Sequence, residues 1–232
     1  MKMRTILWLP LWIGLALTAP AAVYFSDGFD AYAAGSNLHG QGGWKGWDNV
    51  AAAGAIVSTD YAFSGSQSVN VSGPTDLVHE FACAGGQWEV SIDQYIPPTA
   101  SGTTYLILLN TYSDGGADNS WSVQIPIDIE AGTAGYELRE AVDPLTVKKD
   151  QWANWTFKID LDANTVGTYY NGNLWTTQAW QIDGANSLAA IDLYANGATP
   201  VYYDNLTVVP EPTTLVGLSL LLSGALMRRR RD

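Results

Sequence analysis

The chain has 232 residues, with 23 acidic and 11 basic side chains and a formal net charge of −12. Such an acidic surface repels phosphate backbones, which argues against a nucleic-acid partner. Cys83 is the single cysteine, so no intrachain disulfide forms, and burial is the expected fate of a lone thiol in an oxidising compartment.

The first predicted element is an export signal over residues 1–22. Lys2 and Arg4 supply a positive start, Ile6 to Leu17 an apolar core, and Ala19-Pro20-Ala21-Ala22 small residues for cleavage after Ala21 or Ala22. The apolar run is too short to span a membrane comfortably, so a signal helix is expected rather than an anchor.

Residues 23–209 read as strands throughout. Trp88, Val90 and Ile92 alternate with Glu89, Ser91 and Asp93. Trp121, Val123, Ile125, Ile127 and Ile129 alternate with polar residues and Pro126. Trp155, Phe157, Ile159 and Leu161 do so against Thr156, Lys158, Asp160 and Asp162. A period of two describes strands with one face in a core, which places Trp88, Trp121 and Trp155 inside. Pro126 suggests an edge or a bulge. Thr104 to Leu109 is apolar at its centre and predicts a buried central strand. Asn171-Gly172, between Tyr169-Tyr170 and Leu174-Trp175, predicts a tight hairpin, and Asp162-Ala163-Asn164 and Asp114-Gly115-Gly116 mark further turns. No helical periodicity is sustained, so an all-β fold follows: a single two-sheet antiparallel jelly-roll sandwich. Its expected flanks are the signal helix and a C-terminal apolar helix.

Several segments, in order, resemble concanavalin A-like lectin and glucanase jelly rolls, including laminin-G-like bacterial domains. They are Phe25-Ser26-Asp27-Gly28-Phe29-Asp30-Ala31-Tyr32, Gly40-Gln41-Gly42-Gly43-Trp44, Ser64-Gly65-Ser66-Gln67-Ser68-Val69, Trp152 to Asp162, Tyr169-Tyr170-Asn171-Gly172 and Val201-Tyr202-Tyr203-Asp204-Asn205-Leu206. The resemblance spans Tyr24 to Val209. It implies that first and last strands are neighbours, bringing the Asp27–Asp30 region near Asp204. Related sandwiches hold calcium at such a seam, so Asp27 and Asp204 are candidate ligands of a structural calcium; alternatively they cap turns.

The last predicted element covers residues 210–232. Pro210-Glu211-Pro212 precedes an uncharged run from Thr213 to Met227 and the cluster Arg228-Arg229-Arg230-Arg231. The run is short for a full span, and the arginines favour the cytoplasmic side. This tripartite pattern resembles the PEP-CTERM sorting signal. The resemblance implies transient membrane insertion, processing by an exosortase-type enzyme at Pro210-Glu211-Pro212, and delivery to the cell surface or an extracellular matrix rich in exopolysaccharide. Losing both ends removes Lys2, Arg4, the four terminal arginines, Glu211 and Asp232, which leaves five basic and 21 acidic side chains and a net charge of −16.

Catalytic signals are weak. Laminarinase-like relatives carry Glu-x-Asp-x-x-Glu on one strand, and no such run is present. Asp128 and Glu130 share a strand face, but a solvated outer face explains them as well. His39 and His79 lack metal-ligand spacing, and no Gly-x-Ser-x-Gly elbow occurs. Trp44, Trp47, Trp175 and Trp180 fall near turns or hairpins. Sugar rings stack on exposed aromatic faces, so these four are candidates for a glycan platform; otherwise they seal the sandwich edge. The expected function is non-catalytic binding of extracellular polysaccharide. The rival readings are a diverged glycan hydrolase or lyase and a purely structural surface protein.

Overall fold

Alternating side chains pair into two antiparallel sheets in the computed structural model, which describes residues 22–137 and 140–211. Strands are numbered β1 to β15 in chain order. One sheet runs β13 (Asn173–Ala179), β12 (Thr165–Tyr170), β11 (Trp152–Asp160), β6 (Gln87–Tyr95), β15 (Val201–Pro210), β4 (Ser68–Val71) and β3 (Ile56–Ser58), with β1 (Phe25–Asp27) also on β15. The other runs β10 (Leu145–Thr146), β9 (Thr133–Ala134), β8 (Ser120–Asp128), β7 (Thr103–Thr111), β14 (Ser187–Tyr194), β5 (Asp76–Ala84) and β2 (Trp44–Gly46). The chain changes sheet between β14 and β15, and each of these strands sits between two partners. That is the jelly-roll arrangement expected of the sequence.

The core fills the space between the sheets. Val90, Ile92, Trp155, Phe157, Tyr203 and Val208 face Leu77, Leu106, Leu108, Val123, Ile125 and Leu193, all buried. Each large apolar side chain withdrawn from water contributes on the order of 1.5–3 kcal/mol. Cys83 belongs to this core, as expected, and burial pushes its thiol up to about 12, so it is not nucleophilic at neutral pH. The first and last strands are neighbours: β1 pairs with β15 in the register Phe25↔Val208 and Asp27↔Leu206. The Asn171-Gly172 hairpin forms with φ of 48° and 75°, the positive pair its tight turn demands. Pro126 lies on β8, which has β7 along its length but only the short β9 on its other side.

Two expectations change. Trp121 does not enter the core. The β7–β8 register shifts around Leu109, which pairs with Trp121, while Leu108 pairs with Val123. The irregularity turns the indole outward, and Trp121 is 36% exposed. The body also continues past residue 209. Pro210 pairs with Trp88, and the Glu211 N–H donates to the Gln87 carbonyl at 2.8 Å. The expected signal and apolar helices, with Pro212 and Arg228 to Arg231, lie outside the described residues. Among the described residues there is no α-helix, and none is long and apolar enough to cross a membrane.

Candidate functional site

The β1–β15 seam is saturated with hydrogen bonds. Asp27 Oδ1 accepts from the Phe29 N–H at 2.8 Å, and Oδ2 accepts from the Tyr32 hydroxyl at 2.5 Å and the Trp44 Nε1–H at 2.8 Å. Burial, reinforced by this carboxylate, raises the Tyr32 phenol well above its ordinary range. Asp204 Oδ2 accepts from the amides of Phe63 and Ser64 at 2.8 and 3.1 Å, and its Oδ1 from Asn205 at 2.7 Å. Asp30 Oδ1 accepts from the amide and hydroxyl of Ser66, tying the opening motif to the Ser64–Ser66 turn. These oxygens face N–H and O–H donors, the reverse of what calcium needs. No group of three or more His, Cys, Asp or Glu side chains suited to a metal occurs among the described residues. Through these bonds Asp27 and Asp204 cap turns and hold the seam, the alternative to a calcium role.

The four candidate tryptophans separate. Trp44 and Trp180 are 1% and 0% exposed and belong to the core, so neither can offer a face to a sugar. Trp44 packs on Phe29 and His79, and Trp180 donates Nε1–H to the Ser187 carbonyl. Trp175 is half-buried against Tyr136 and Trp155, with its Nε1–H on the Asp143 carbonyl, so it seals the sandwich edge. Trp47 is half-buried too, edge-on to Tyr112, on the outer face of its sheet. It stands in a short 3-10 turn, Trp47–Asn49, directly after β2.

Trp47 and Trp121 meet on the outer face of the seven-stranded sheet. Their rings are near parallel, at 11°, with centres 6.2 Å apart. Beside them is an open hollow of about 280 Å³, lined by Trp47, Asp76, Ile107, Trp121, Gln124, Asp192 and Tyr194. Alternation places the floor: Ile107 on β7, Asp192 and Tyr194 on β14, Asp76 on β5 and Gln124 on β8 stand opposite the core-facing set. A small apolar cluster of Val78, Ile107, Leu109, Tyr112 and Ala190 supports it from the same face.

Asp76 and Asp192 are diagonal neighbours on one face of the β5–β14 pair, where Tyr194 stands opposite Asp76 and Asp192 opposite Val78, and their carboxyls interact. Both carboxyls titrate above the ordinary range. Burial is the first cause for each; the Asp76 charge adds to it at Asp192, and the Asp48 charge adds to it at Asp76. Both directions favour the protonated form of the pair. Asp128 and Glu130 do not converge on a cleft: Asp128 accepts from the Ala131 amide in the turn after β8, and Glu130 from the Gly102 amide just before β7. Asp76, Asp192 and Gln124 escaped sequence reasoning. The available signal was Asp192 itself, a carboxylate inside the apolar run Leu188 to Tyr194.

No protein-family model matches this chain, and no curated protein matches it. Solved structures do. An endo-1,3-beta-glucanase from Streptomyces sioyaensis is 14% identical, with 87% of this chain and 100% of that one covered and a TM-score of 0.55. A sialidase is 10% identical over 87% of this chain, with a TM-score of 0.54, but the match spans 19% of the sialidase's length. At these identities the likeness is one of fold, a two-sheet antiparallel jelly roll.

Proposed function

We propose that this protein is a non-catalytic carbohydrate-binding jelly roll whose ligand site is the Trp47–Trp121 hollow. The observation that carries the reading is a near-parallel pair of indoles, Trp121 exposed and Trp47 half-buried, beside a polar, partly buried floor. Aromatic faces take the apolar faces of sugar rings, while fixed polar groups select hydroxyl geometry. The fold likeness to a glucanase and a sialidase supports glycans as the ligand class. In this reading residues 1–22 export the chain, and Pro210 to Arg231 sort it to the cell surface or matrix through an exosortase-type enzyme, with extracellular polysaccharide as the partner there.

A glycan array probed with the full-length chain in mild detergent tests the binding claim. Trp47→Ala and Trp121→Ala each weaken the strongest hit by about tenfold or more, as expected when a stacking face is lost, with cooperative thermal melting retained. Binding that survives both substitutions, or an array without hits, would refute the site. Mass spectrometry of surface-extracted protein tests sorting: a mature C-terminus that still carries Arg228 to Arg231 counts against processing.

A further inference from the structure

The floor of the hollow offers acceptors and almost nothing to donate. Asp76 and Asp192 each keep an Oδ1 atom that is buried and without a hydrogen-bond partner, and Asp192 is only 2% exposed. Gln124 gives one Nε2 hydrogen to Glu137 Oε2 at 2.8 Å, which leaves its carbonyl oxygen and a single N–H. Tyr194 donates its hydroxyl proton to Asn196 Oδ1 at 3.1 Å, so it too presents an oxygen. The titratable proton of the floor belongs to the Asp76–Asp192 pair, whose carboxyls burial pushes up.

The surrounding charge has the same sign. Asp48, from the Trp47–Asn49 turn, acts on Asp76, and Glu137 acts on Tyr105 across the same face. Lys45, on β2 of that face, is already held by Glu80 and Asp114. From the core side, the Tyr203 phenol feels the Asp192 charge and donates nothing to it, being bonded to Gln94 and Thr104. Indole faces add the negative side of their quadrupole.

A neutral hydroxyl brings one donor to such a floor, and an anionic sugar is repelled by it. An ammonium brings three donors and no acceptor, and it is attracted by buried carboxylates and by indoles alike. A bare metal ion would gain nothing from the tryptophan wall. We infer that the hollow selects the free, unacetylated amine of an amino sugar, its ammonium on Asp76 and Asp192 and its ring against Trp47 and Trp121. This rests on the carbohydrate-binding reading and narrows it to a glycan class. The proton balance is explicit: the ammonium takes the place of the pair's proton, which leaves to solvent, and both carboxylates are then ionised around one cation.

Isothermal titration calorimetry on the full-length chain, near neutral pH and at low salt, compares three probes of equal length. They are oligomers of glucosamine, of N-acetylglucosamine and of glucose. The glucosamine oligomer is expected to bind at least about tenfold tighter than the other two, because only it adds charge-assisted bonds. Buffers of different ionisation enthalpy should report net proton release with that probe alone. Asp192→Asn and, separately, Asp76→Asn should bring the three probes to within about twofold of one another. The wild-type proton release is a readout that does not depend on either variant folding. Equal affinity for all three probes overturns the amine inference and leaves the carbohydrate reading standing. No binding by any probe removes both. Calcium that binds in place of the amine, sensitive to Asp192→Asn but not to Trp47→Ala, overturns the inference in favour of a metal.

Discussion

The β1–β15 seam and the outer face of the seven-stranded sheet are both built around aspartates, and they differ in what meets the carboxylate oxygens. At the seam, Asp27 and Asp204 receive amide, phenol and indole donors on every oxygen. In the hollow, Asp76 and Asp192 meet each other and retain an unpartnered oxygen apiece. A satisfied carboxylate is a structural tie. A buried carboxylate with a spare acceptor costs stability and persists where a ligand completes it.

The largest expected difference between the two regions is thermodynamic. Asp27→Ala removes the acceptor of the Trp44 indole and the Tyr32 phenol together, and should lower unfolding free energy by on the order of 3 kcal/mol, read by urea titration. A loss below about 1 kcal/mol would mean that the seam is held by backbone pairing alone.

Asp192→Asn should act in the opposite direction, and only at some pH values. The folded protein retains the pair's proton at a pH where unfolded aspartate has lost it. Folded protein therefore binds more protons, and stability falls as pH rises from the ordinary carboxylate range through the raised folded value, then levels off. Asparagine removes that slope. The variant should melt a few degrees higher than wild type near neutral pH, and the gain should vanish by about pH 4. His79, whose imidazole burial keeps neutral, is present in both proteins and cancels from the difference. A variant with the same melting difference at every pH would show that the pair does not retain a proton in the folded state.

The smallest effect lies far from both regions. Gly172→Ala in the β12–β13 hairpin meets no neighbouring atom within 4 Å but forces a side chain onto φ of 75°. It should cost about 1 kcal/mol in the same urea titration and leave glycan binding unchanged.

Much of the architecture was readable from local pattern. The alternation in Trp155 to Leu161 is that of β11 and its following turn, and Asn171-Gly172 is the hairpin it announces. The Phe25 to Tyr32 and Ser64 to Val69 segments owe their order to one set of bonds, from Asp30 to Ser66 and from Asp204 to Phe63 and Ser64. The site was less readable. Alternation assigns a side, and it held for Trp155 but failed for Trp121, because a register shift against β7 reverses the side within one residue. Turn context suggested exposure for Trp44 and Trp180, yet turns at the ends of a sandwich fold large side chains back into the core.

By itself the sequence determined the all-β class, the hairpin, the acidic charge and the burial of Cys83, since each depends on composition or on neighbours a few residues away. Which of the tryptophans face water, and that Asp76 meets Asp192, was decided only by tertiary structure. Asp76 and Asp192 stand 116 positions apart in the chain and become neighbours through the pairing of β5 with β14. Long-range strand order is set by the packing of the whole core, and no local spacing records it.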